Sequence, residues 1–551
     1  MGIPRAQIRD KRGVWLLDLT IAGAVYRLGD EDAVVTDADG TAHAYVAALA
    51  RPDATEEAGS VDRTVAVTLS PDAGVDWSLL VARGIDLSQG TGILRRWFEG
   101  QVLEQAEVVH EGDVKRPSYG DLNEGLTFSL ERRPWDDETL IPEATAVVDE
   151  ATWPTTRSSS AYASDDAVYG VAYPVIIGFP GAIGFVGLAA APITPASPGL
   201  LVEYSIGATA YFDSRILIAG HEIEATTVRL YDMSDGLDDT RSVKTMADKL
   251  GRTVSYVDFL SATGIRPRLG HEYRVAFSTL TGGGLYNRTR TAALRGAGEV
   301  SRALLEGSLG ALPATRIRID VGRMEAARPL LDRYKVDAWI AERVQPWQWI
   351  VDHLVPMLPV REMQGPGGLY LQVWRRDATK ADAVMHLDAD IGDVTRDGPV
   401  DVSDEVIANH ITVDYGPTIS GGYQRRIILT GTPDASDARQ RGSNRCLVSQ
   451  QRYGVRSVEI ELELVNDDAT AEQVARDIAA RLALPTSSLV VVGDAELGSV
   501  DLGDVVTFTD STLHMTERVC LVRARQREDA DEVALQLELL DWLPTTPRAT
   551  T

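Results

Sequence analysis

Cysteine and basic residues are scarce in this 551-residue chain. Cys446 and Cys520 are the only cysteines, too few for a disulfide framework and too far apart for a CxxC zinc pair. We therefore expect two reduced, partly buried thiols. Lys and Arg total 54 against 81 Asp and Glu, which gives a net charge of −27. Such a surface repels phosphate, so nucleic-acid binding by charge neutralisation is disfavoured, and simple solubility is the alternative reason for the charge.

The chain also lacks the motifs of several enzyme classes. It contains no HExxH zinc motif, no GxSxG nucleophile elbow and no phosphate-binding loop. Residues 388–392 begin like a calcium loop, but Gly392 stands where a ligand is needed. Asp and Glu are so numerous that pairing carboxylates from sequence is uninformative. We predict no enzyme activity and no catalytic, cofactor-binding or metal-binding residues.

Two smaller patterns have plain structural interpretations. Gly220-His221-Glu222 and Gly270-His271-Glu272 echo each other, and we interpret both as turns at strand ends. Residues 168–193 carry no charge and are long enough to cross a bilayer. Prolines and glycines interrupt this run repeatedly, which favours buried strands and turns over a spanning helix. We therefore expect no stable membrane insertion.

Alternating apolar and polar residues predict strands in the first part of the chain. Val65, Val67 and Leu69 alternate with Thr64, Ala66 and Thr68, and the same period recurs in residues 126–130. An antiparallel barrel or sandwich would bury such strands. The N-terminal residues lack the apolar core of a signal peptide, so we expect synthesis in the cytoplasm.

The middle of the chain predicts both helices and strands. Residues 290–305 and 326–334 have helical patterns. Pro346 fits the first turn of another helix, in which Trp347, Ile350, Leu354 and Leu358 form an apolar stripe. Trp347 could contact sugar, but its place on the stripe favours the core.

The last region combines one clear strand with one clear helix. Apolar residues at 458, 460, 462 and 464 alternate with Glu459, Glu461 and Glu463, as in a strand with one solvated face. A helix follows over residues 469–483, with Thr470 and Gln473 at capping-box spacing. Further strands are predicted at residues 489–492, 505–509, 519–523 and 533–539.

These patterns predict a mainly β fold with an α+β middle. We expect an N-terminal β-barrel domain at 1–150, an inserted β domain at 151–265 and a mixed α/β domain at 266–395. A C-terminal β domain with one helix follows at 396–545, and residues 546–551 form a tail. Residues 155–166, rich in Ser, Thr and Asp, predict an exposed connection between the first two domains.

The order of motifs in residues 335–545 resembles the baseplate hub family of phage tails, which is related to the spike base of type VI secretion systems. The features are residues 409–415 (NHITVDY), 453–456 (YGVR), the alternating Glu strand, the helix at 469–483, residues 502–506 (LGDVV) and the strand at 534–540. Residues 344–350 (VQPWQWI) and 368–371 (GLYL) are similar to the family's middle domain. Residues 95–102 and 125–131 resemble, more loosely, the barrel domains of tail-tip proteins.

The resemblance implies an assembly role. Hub proteins typically form homotrimers in which each chain brings two tube-like barrels, so that three chains present a pseudo-sixfold ring to the tail tube. The implied partners are further copies of the chain, tail-tube and distal-tail proteins, a tail fibre or central tip protein, and a tape-measure protein. DNA would pass through the ring during ejection, and the expected location is the tail tip of the virion. An acidic channel wall, with Glu459, Glu461 and Glu463 as first candidates, would let phosphates pass without binding.

Two other functions fit the sequence. One is a distal-tail or wedge-like ring subunit that carries a carbohydrate-binding insertion. The other is a virion-borne glycan hydrolase, which would need convergent carboxylates in a cleft. Symmetry separates the first of these from a hub, because a hub is expected to be trimeric and a distal-tail ring hexameric.

Overall fold

The structure is a computed structural model of the chain. It describes residues 12–52, 54–57, 64–119, 125–131, 139–143, 145–147, 172–180, 197–206, 209–232, 237–258, 273–277, 282–307, 317–365, 367–403, 406–417, 422–527 and 532–540. Strands far outnumber helices in these residues. The expected mainly β fold with some helices is confirmed.

The elements are numbered in chain order. The strands are β1 (Gly13–Ile21), β2 (Ala24–Gly29), β3 (Ala33–Thr36), β4 (Ala42–Ala47), β5 (Ala54–Glu57), β6 (Thr64–Leu69), β7 (Thr91–Phe98), β8 (Glu107–Tyr119), β9 (Leu126–Glu131), β10 (Val175–Ile177), β11 (Ser197–Ile206), β12 (Thr209–Ala219), β13 (Thr227–Asp232), β14 (Leu237–Ala247), β15 (Thr253–Asp258), β16 (Tyr273–Ala276), β17 (Ala338–Ile340), β18 (Val360–Gly365), β19 (Gly368–Val373), β20 (Met385–Asp388), β21 (Val394–Ser403), β22 (His410–Pro417), β23 (Tyr423–Thr430), β24 (Gln440–Gly442), β25 (Ser457–Leu462), β26 (Thr486–Asp494), β27 (Val505–Asp510), β28 (Met515–Arg527) and β29 (Glu532–Leu539). The helices are α1 (Trp77–Ala82), α2 (Ala297–Glu306), α3 (Val321–Leu331), α4 (Pro346–Trp349), α5 (Asn444–Tyr453) and α6 (Asp468–Leu482).

The chain divides into two compact units. Unit 1 consists of Met1–Trp135, Val360–Val406 and Leu484–Thr545. Unit 2 consists of Asp136–Pro359, Ile407–Ala483 and Thr546–Thr551. Each unit is therefore built from segments that lie far apart in the sequence.

The first sheet of unit 1, called the N-terminal sheet, has eight strands in the order β3-β4-β2-β1-β7-β8-β9-β6. The residues that follow β4 meet β6 at a bridge between Leu49 and Leu69 and at a hydrogen bond of 2.8 Å from the amide of Ala50 to the carbonyl oxygen of Thr68. The sheet thus curls around its own core. That core includes Trp15, Leu17, Leu19, Leu28, Val65, Val67, Leu94, Val114, Phe128 and Leu130.

The second sheet of unit 1, called the C-terminal sheet, has the order β20-β27-β28-β29-β26-β21, and β5 pairs with β28 as a seventh strand. Apolar residues at every second position of its central strands form the inner face, because successive side chains of a strand point to opposite sides. Leu489, Val491, Phe508, Leu535 and Leu537 are all buried. Unit 1 also contains the hairpin of β18 and β19.

Unit 2 contains a closed barrel, two short strands and a helical region. The barrel order is β11-β12-β15-β14-β13-β16, and β10 pairs with β17 outside it. Ile218, Val228, Leu230, Val257 and Val275 form the described part of its core. A four-stranded sheet, β24-β23-β22-β25, completes the unit, and α6 packs against β22 and β23.

Several local predictions are confirmed by the elements of unit 2. Pro346 opens α4, and the chain continues as a π-helical segment, Ile350–Leu354, and a 3-10 turn, Val355–Met357. Leu358 of the predicted apolar stripe has an extended backbone and lies beyond the helix. Trp347 is buried, as expected for a core residue. The Glu-rich strand is β25, which ends at Leu462 and not at residue 464, and its glutamates face solvent as predicted.

Other local predictions are wrong at the element boundaries. The helix expected from residue 290 begins only at Ala297, because the preceding residues form a turn closed by a bridge between Tyr286 and Ala293, and Gly296 then bridges to Lys335. The proposed capping box at Thr470 does not form. Asp467 caps α6 instead, and its carboxylate accepts hydrogen bonds from the amide (2.8 Å) and the hydroxyl (2.6 Å) of Thr470.

The charge-free run lies partly outside the described residues. Its described part, residues 172–180, contains the buried strand β10. Among the helices in the described ranges, none has the length and apolar character needed to cross a membrane. The connection expected at residues 155–166 lies outside the residues that the structure describes.

Candidate functional site: a joint between two sheets

The two sheets of unit 1 share a four-strand core with the same connectivity. In the N-terminal sheet, β6 is followed along the chain by β7, β8 and β9, and these strands lie in the spatial order β7-β8-β9-β6. In the C-terminal sheet, β26 is followed by β27, β28 and β29, in the spatial order β27-β28-β29-β26. All three pairings are antiparallel in both sheets. Unit 1 therefore contains the same four-strand arrangement twice, once in each sheet, and we call the two sheets its repeats.

The long strands β8 and β28 occupy equivalent places in the two repeats. Each has 13 residues and extends past the end of its first neighbour. The last pair between β27 and β28 is Val505–Leu521, and the last pair between β7 and β8 is Thr91–Asp113. In this alignment, residues 524–527 of β28 correspond to residues 116–119 of β8.

A strand from the N-terminal half joins the two repeats. β5 lies between β4 and β6 in the sequence, yet it pairs with the C-terminal sheet. The register places Glu57 opposite Ala524, Glu56 opposite Arg525 and Ala54 opposite Arg527. The backbone therefore leaves one repeat, adds a strand to the other and returns at β6.

A buried arginine forms the second element of the joint. Arg96 lies in β7 and is 1% exposed. One of its terminal nitrogens lies 2.9 Å from a carboxylate oxygen of Glu107, and its guanidinium lies 5.3 Å from the ring centre of Phe98. The ion pair and the ring compensate for removing the charge from water.

Gly498 of the C-terminal repeat receives this arginine. It lies in the 3-10 segment Ala495–Ser499, and a Cβ atom placed on it would come within 1.8 Å of the Arg96 Nη2 atom. Arg525 also binds this loop, because its Nη1 donates hydrogen bonds of 2.8 Å to the carbonyl oxygens of Gly498 and Val500. Arg525 belongs to the stretch of β28 that pairs with β5.

The joint therefore combines a shared strand, a buried ion pair and a glycine contact at one place. These contacts restrain both the distance and the rotation between the two repeats, because they involve different strands on each side. The chemistry is that of positioning and not of reaction. We name this set of residues, β5 with Arg96, Glu107, Gly498 and Arg525, the inter-repeat joint.

The three glutamates expected to contribute to an acidic channel wall lie on the four-stranded sheet of unit 2. Glu459 and Glu461 lie on β25 and Glu463 follows it, and all three are exposed. Arg426 compensates Glu459 at 2.7 Å and also binds Asp414 at 2.6 Å. The ion pair with Glu459 reaches from β23 to β25 across the intervening strand β22, was not foreseen, and reduces the negative charge at Glu459.

The charges of Glu461 and Glu463 affect the pKa of the neighbouring Tyr423. Burial, followed by the charges of Glu461 and Glu463, raises the pKa of Tyr423 to about 12. The carboxylates therefore create a negative potential on this part of the sheet.

Other residues singled out in the sequence have structural roles. Asp390 accepts hydrogen bonds from the amide (3.0 Å) and the hydroxyl (2.8 Å) of Ser511, which joins two turns. In the described part of the chain, no group of three or more His, Cys, Asp or Glu residues is arranged to hold a metal ion. Cys446 and Cys520 are free, and both are completely buried, where partial burial was expected.

Gly220-His221-Glu222 directly follows the end of β12 at Ala219, which confirms the strand-end interpretation of this pattern. The second copy of this pattern, at 270–272, lies outside the described residues. The amide of Ile176 donates to His221 Nε2 at 3.1 Å, so Nδ1 carries the proton and donates to the Glu222 carbonyl oxygen at 2.8 Å. Complete burial lowers the pKa of His221 to about 4.

Sequence reasoning missed the inter-repeat joint. Arg96 stands among bulky residues in residues 95–98 (RRWF), and a charged residue in such a strand was the available signal of a buried ion pair. Nothing in the local sequence of β5 indicates that its partner lies about 470 residues further along the chain.

Comparison with known proteins gives structural similarities only. The sequence matches no family model and no curated protein. The tail protein of Neisseria meningitidis MC58 overlays with a TM-score of 0.37 and 10% identity, covering 95% of this chain and 96% of that one. The 43 kDa tail protein of prophage MuSo2 from Shewanella oneidensis gives 0.36 and 12%, covering 95% and 98%.

A chain of the virion of a native gene transfer agent particle is also similar. Its TM-score is 0.35 at 12% identity, and the match covers 73% of this chain and 91% of that one. These scores are too low for the overlays to define the fold or the function of this chain.

Proposed function

We propose that this chain is a structural hub subunit of a phage tail tip, which forms a ring and performs no catalysis. The observation that carries the proposal is the internal repeat of unit 1, in which two sheets of the same connectivity are fixed by the inter-repeat joint. The order of motifs in residues 335–545, which resembles the hub family, supports the same function.

The repeat explains how few copies can build a larger ring. A chain with two equivalent sheets supplies two positions of a ring, so three copies supply six. Contacts that join unlike surfaces head to tail produce a closed ring when the rotation between neighbours closes. The inter-repeat joint sets that rotation inside each chain, and a homotrimer would present six sheets to a hexameric tail tube.

The proposed neighbours follow from this geometry. One face of the ring would contact tail-tube and distal-tail proteins, and the other would hold a tail fibre or central tip protein. A tape-measure protein and then DNA would occupy the channel. The proposed location is the tail tip of the virion, after synthesis in the host cytoplasm.

The acidic excess of the chain suits a channel through which DNA passes. A wall poor in Lys and Arg does not bind phosphate, and its weak repulsion is screened over about 8 Å at physiological salt. Glu461 and Glu463 are the stronger candidates for such a wall, since Arg426 compensates Glu459. An electrostatic map of the assembled ring tests this point, and a neutral or basic bore with an acidic outer wall would overturn it.

Native mass spectrometry of the purified chain tests the ring directly. We expect a species of three copies at micromolar concentration. A stable monomer under the same conditions, or a ring of six copies, would contradict the hub and in the second case favour a distal-tail ring.

A further inference from the structure

The N-terminal repeat has a stretch equivalent to the one that pairs with β5 in the C-terminal repeat, and no described strand pairs with it on the corresponding side. On β28, the stretch that extends past β27 pairs with β5. On β8, the stretch that extends past β7 is residues 115–119, and among the described residues no strand pairs with it on the β7 side. The backbone enters both stretches in the same way, since Val522 N donates to Asp504 O at 3.0 Å and Val114 N donates to Gly90 O at 2.8 Å.

This open stretch of β8, residues 115–119, is basic and exposed. Lys115 and Arg116 are exposed, and the ring of Tyr119 is 41% exposed. Arg116 has a positive φ of 52° in an interruption of the pairing between β8 and β9. This interruption and Pro117 discourage unselective pairing with other chains, so a partner of this stretch must be selected by more than backbone hydrogen bonds.

The C-terminal repeat presents a surface of opposite charge. In unit 1 the strand before β26 is β21, as β5 is the strand before β6 in the other repeat. β21 pairs with β26 along one edge, and no described strand pairs with its other edge. Asp397 and Asp401 are exposed on it, and Val402 is 55% exposed.

We propose that the open stretch of β8 in one copy docks against β21 of a second copy. The occupant is a second copy because the two surfaces are complementary in charge and belong to different repeats. Joining them would place the N-terminal repeat of one copy beside the C-terminal repeat of the next, so that the two kinds of repeat alternate around the ring. Contact would pair Lys115 and Arg116 with Asp397 and Asp401 and would cover Tyr119 and Val402. The proposal rests on the proposed ring and names the surfaces that close it.

A charge exchange tests the contact. The variant K115E/R116E should weaken assembly about tenfold or more, because it replaces attraction by repulsion across the interface. The variant D397K/D401K should do the same, and the combination of all four changes should restore the ring. K244E/K249E changes the net charge as much as K115E/R116E does, at two exposed sites of unit 2, and should assemble as the unaltered chain does.

Native mass spectrometry and circular dichroism give the outcome. If the chain forms rings of three and both charge-reversed variants still form them, the docking surfaces are wrong while the hub stands. If both variants fail and the combination does not restore assembly although it is folded, the pairing is also wrong. If the unaltered chain is monomeric, the proposed hub function and this contact fail together.

Discussion

Replacing Gly498 with alanine places a methyl group where the guanidinium of Arg96 now lies. The new Cβ would be 1.8 Å from Nη2 and 2.9 Å from Cζ of Arg96, both far below contact distance. A flexible side chain could normally move away, but Arg96 is 1% exposed and is held by Glu107 and Phe98. The substitution must therefore displace the ion pair or open the joint.

The size of the effect follows from the free-energy cost of overpacking and the cost of breaking the Arg96–Glu107 ion pair. Overpacking a buried site typically costs about 1–3 kcal/mol. Breaking a buried ion pair costs about 3–5 kcal/mol, but the Glu107 side chain is 19% exposed and keeps some hydration, which lowers the figure. We expect G498A to destabilise the joint by about 2–4 kcal/mol.

Hydrogen exchange measured by mass spectrometry locates the effect. Amides of β5, β28 and residues 495–500 should exchange faster in G498A, while those of the unit 2 barrel stay unchanged. Gly322 provides a matched control, because a Cβ there would meet only an Asp320 carboxylate oxygen at 3.5 Å. G322A should be neutral or slightly stabilising, since alanine favours a helix over glycine by about 1 kcal/mol.

A double-mutant cycle separates the clash from other causes. R96M removes the guanidinium, so G498A should cost at least about 1 kcal/mol less in that background than alone. Strictly additive effects of the two changes would refute the assignment of Arg96 and Gly498 to one contact. Unchanged exchange in G498A would refute the joint itself.

Three further predictions concern unit 2 and the whole chain. Burial lowers the pKa of His221 to about 4, so its contribution to stability is complete above about pH 6.5 and is lost as the pH falls toward 4; the loss at pH 5 is about 2 kcal/mol. Urea unfolding of H221N should therefore depend less on pH in this range, and an unchanged pH dependence would contradict the prediction. Asn409 is fully buried, and its side chain forms hydrogen bonds with Ser449, Gly454 and Arg456. N409A should therefore lower the free energy of unfolding by about 2–4 kcal/mol in thermal unfolding. The control N444A changes an exposed site and should lower it by under about 1 kcal/mol. Incubation with peptidoglycan or host polysaccharide should release no product above a blank, and turnover abolished by changing one carboxylate would reverse this conclusion.

Local patterns predicted the elements whose structure depends on neighbouring residues. The alternation at Val65, Val67 and Leu69 corresponds to β6, and the helix predicted over residues 469–483 corresponds to α6. These elements follow from side-chain periodicity, which the sequence contains in full.

Features that depend on distant partners were not predictable in this way. β5 pairs with β28, and the capping of α6 by Asp467 was not separable from the alternative at Thr470 by spacing alone. Thr470 is buried, and its hydroxyl accepts a hydrogen bond from the amide of Lys335 at 3.0 Å. Contacts with residues far away in the sequence decide which of two possible capping residues is used.

The candidate site illustrates the same division. The residues around Arg96 and the residues near Gly498 each read as ordinary strand and turn sequence. Their contact exists only because the two repeats meet, so no pattern within either segment predicts it. The alternation in residues 458–464 predicted that Glu461 and Glu463 face solvent, whereas their place on a channel wall stays a prediction.

Cryo-electron microscopy of the assembled tail tip tests the central claim most directly. We expect a ring of three chains in which the N-terminal and C-terminal sheets alternate around the channel, with β5 crossing between them inside each chain. A ring of six chains with one sheet each at the channel, or a map in which the two sheets of a chain do not occupy equivalent positions, would contradict it.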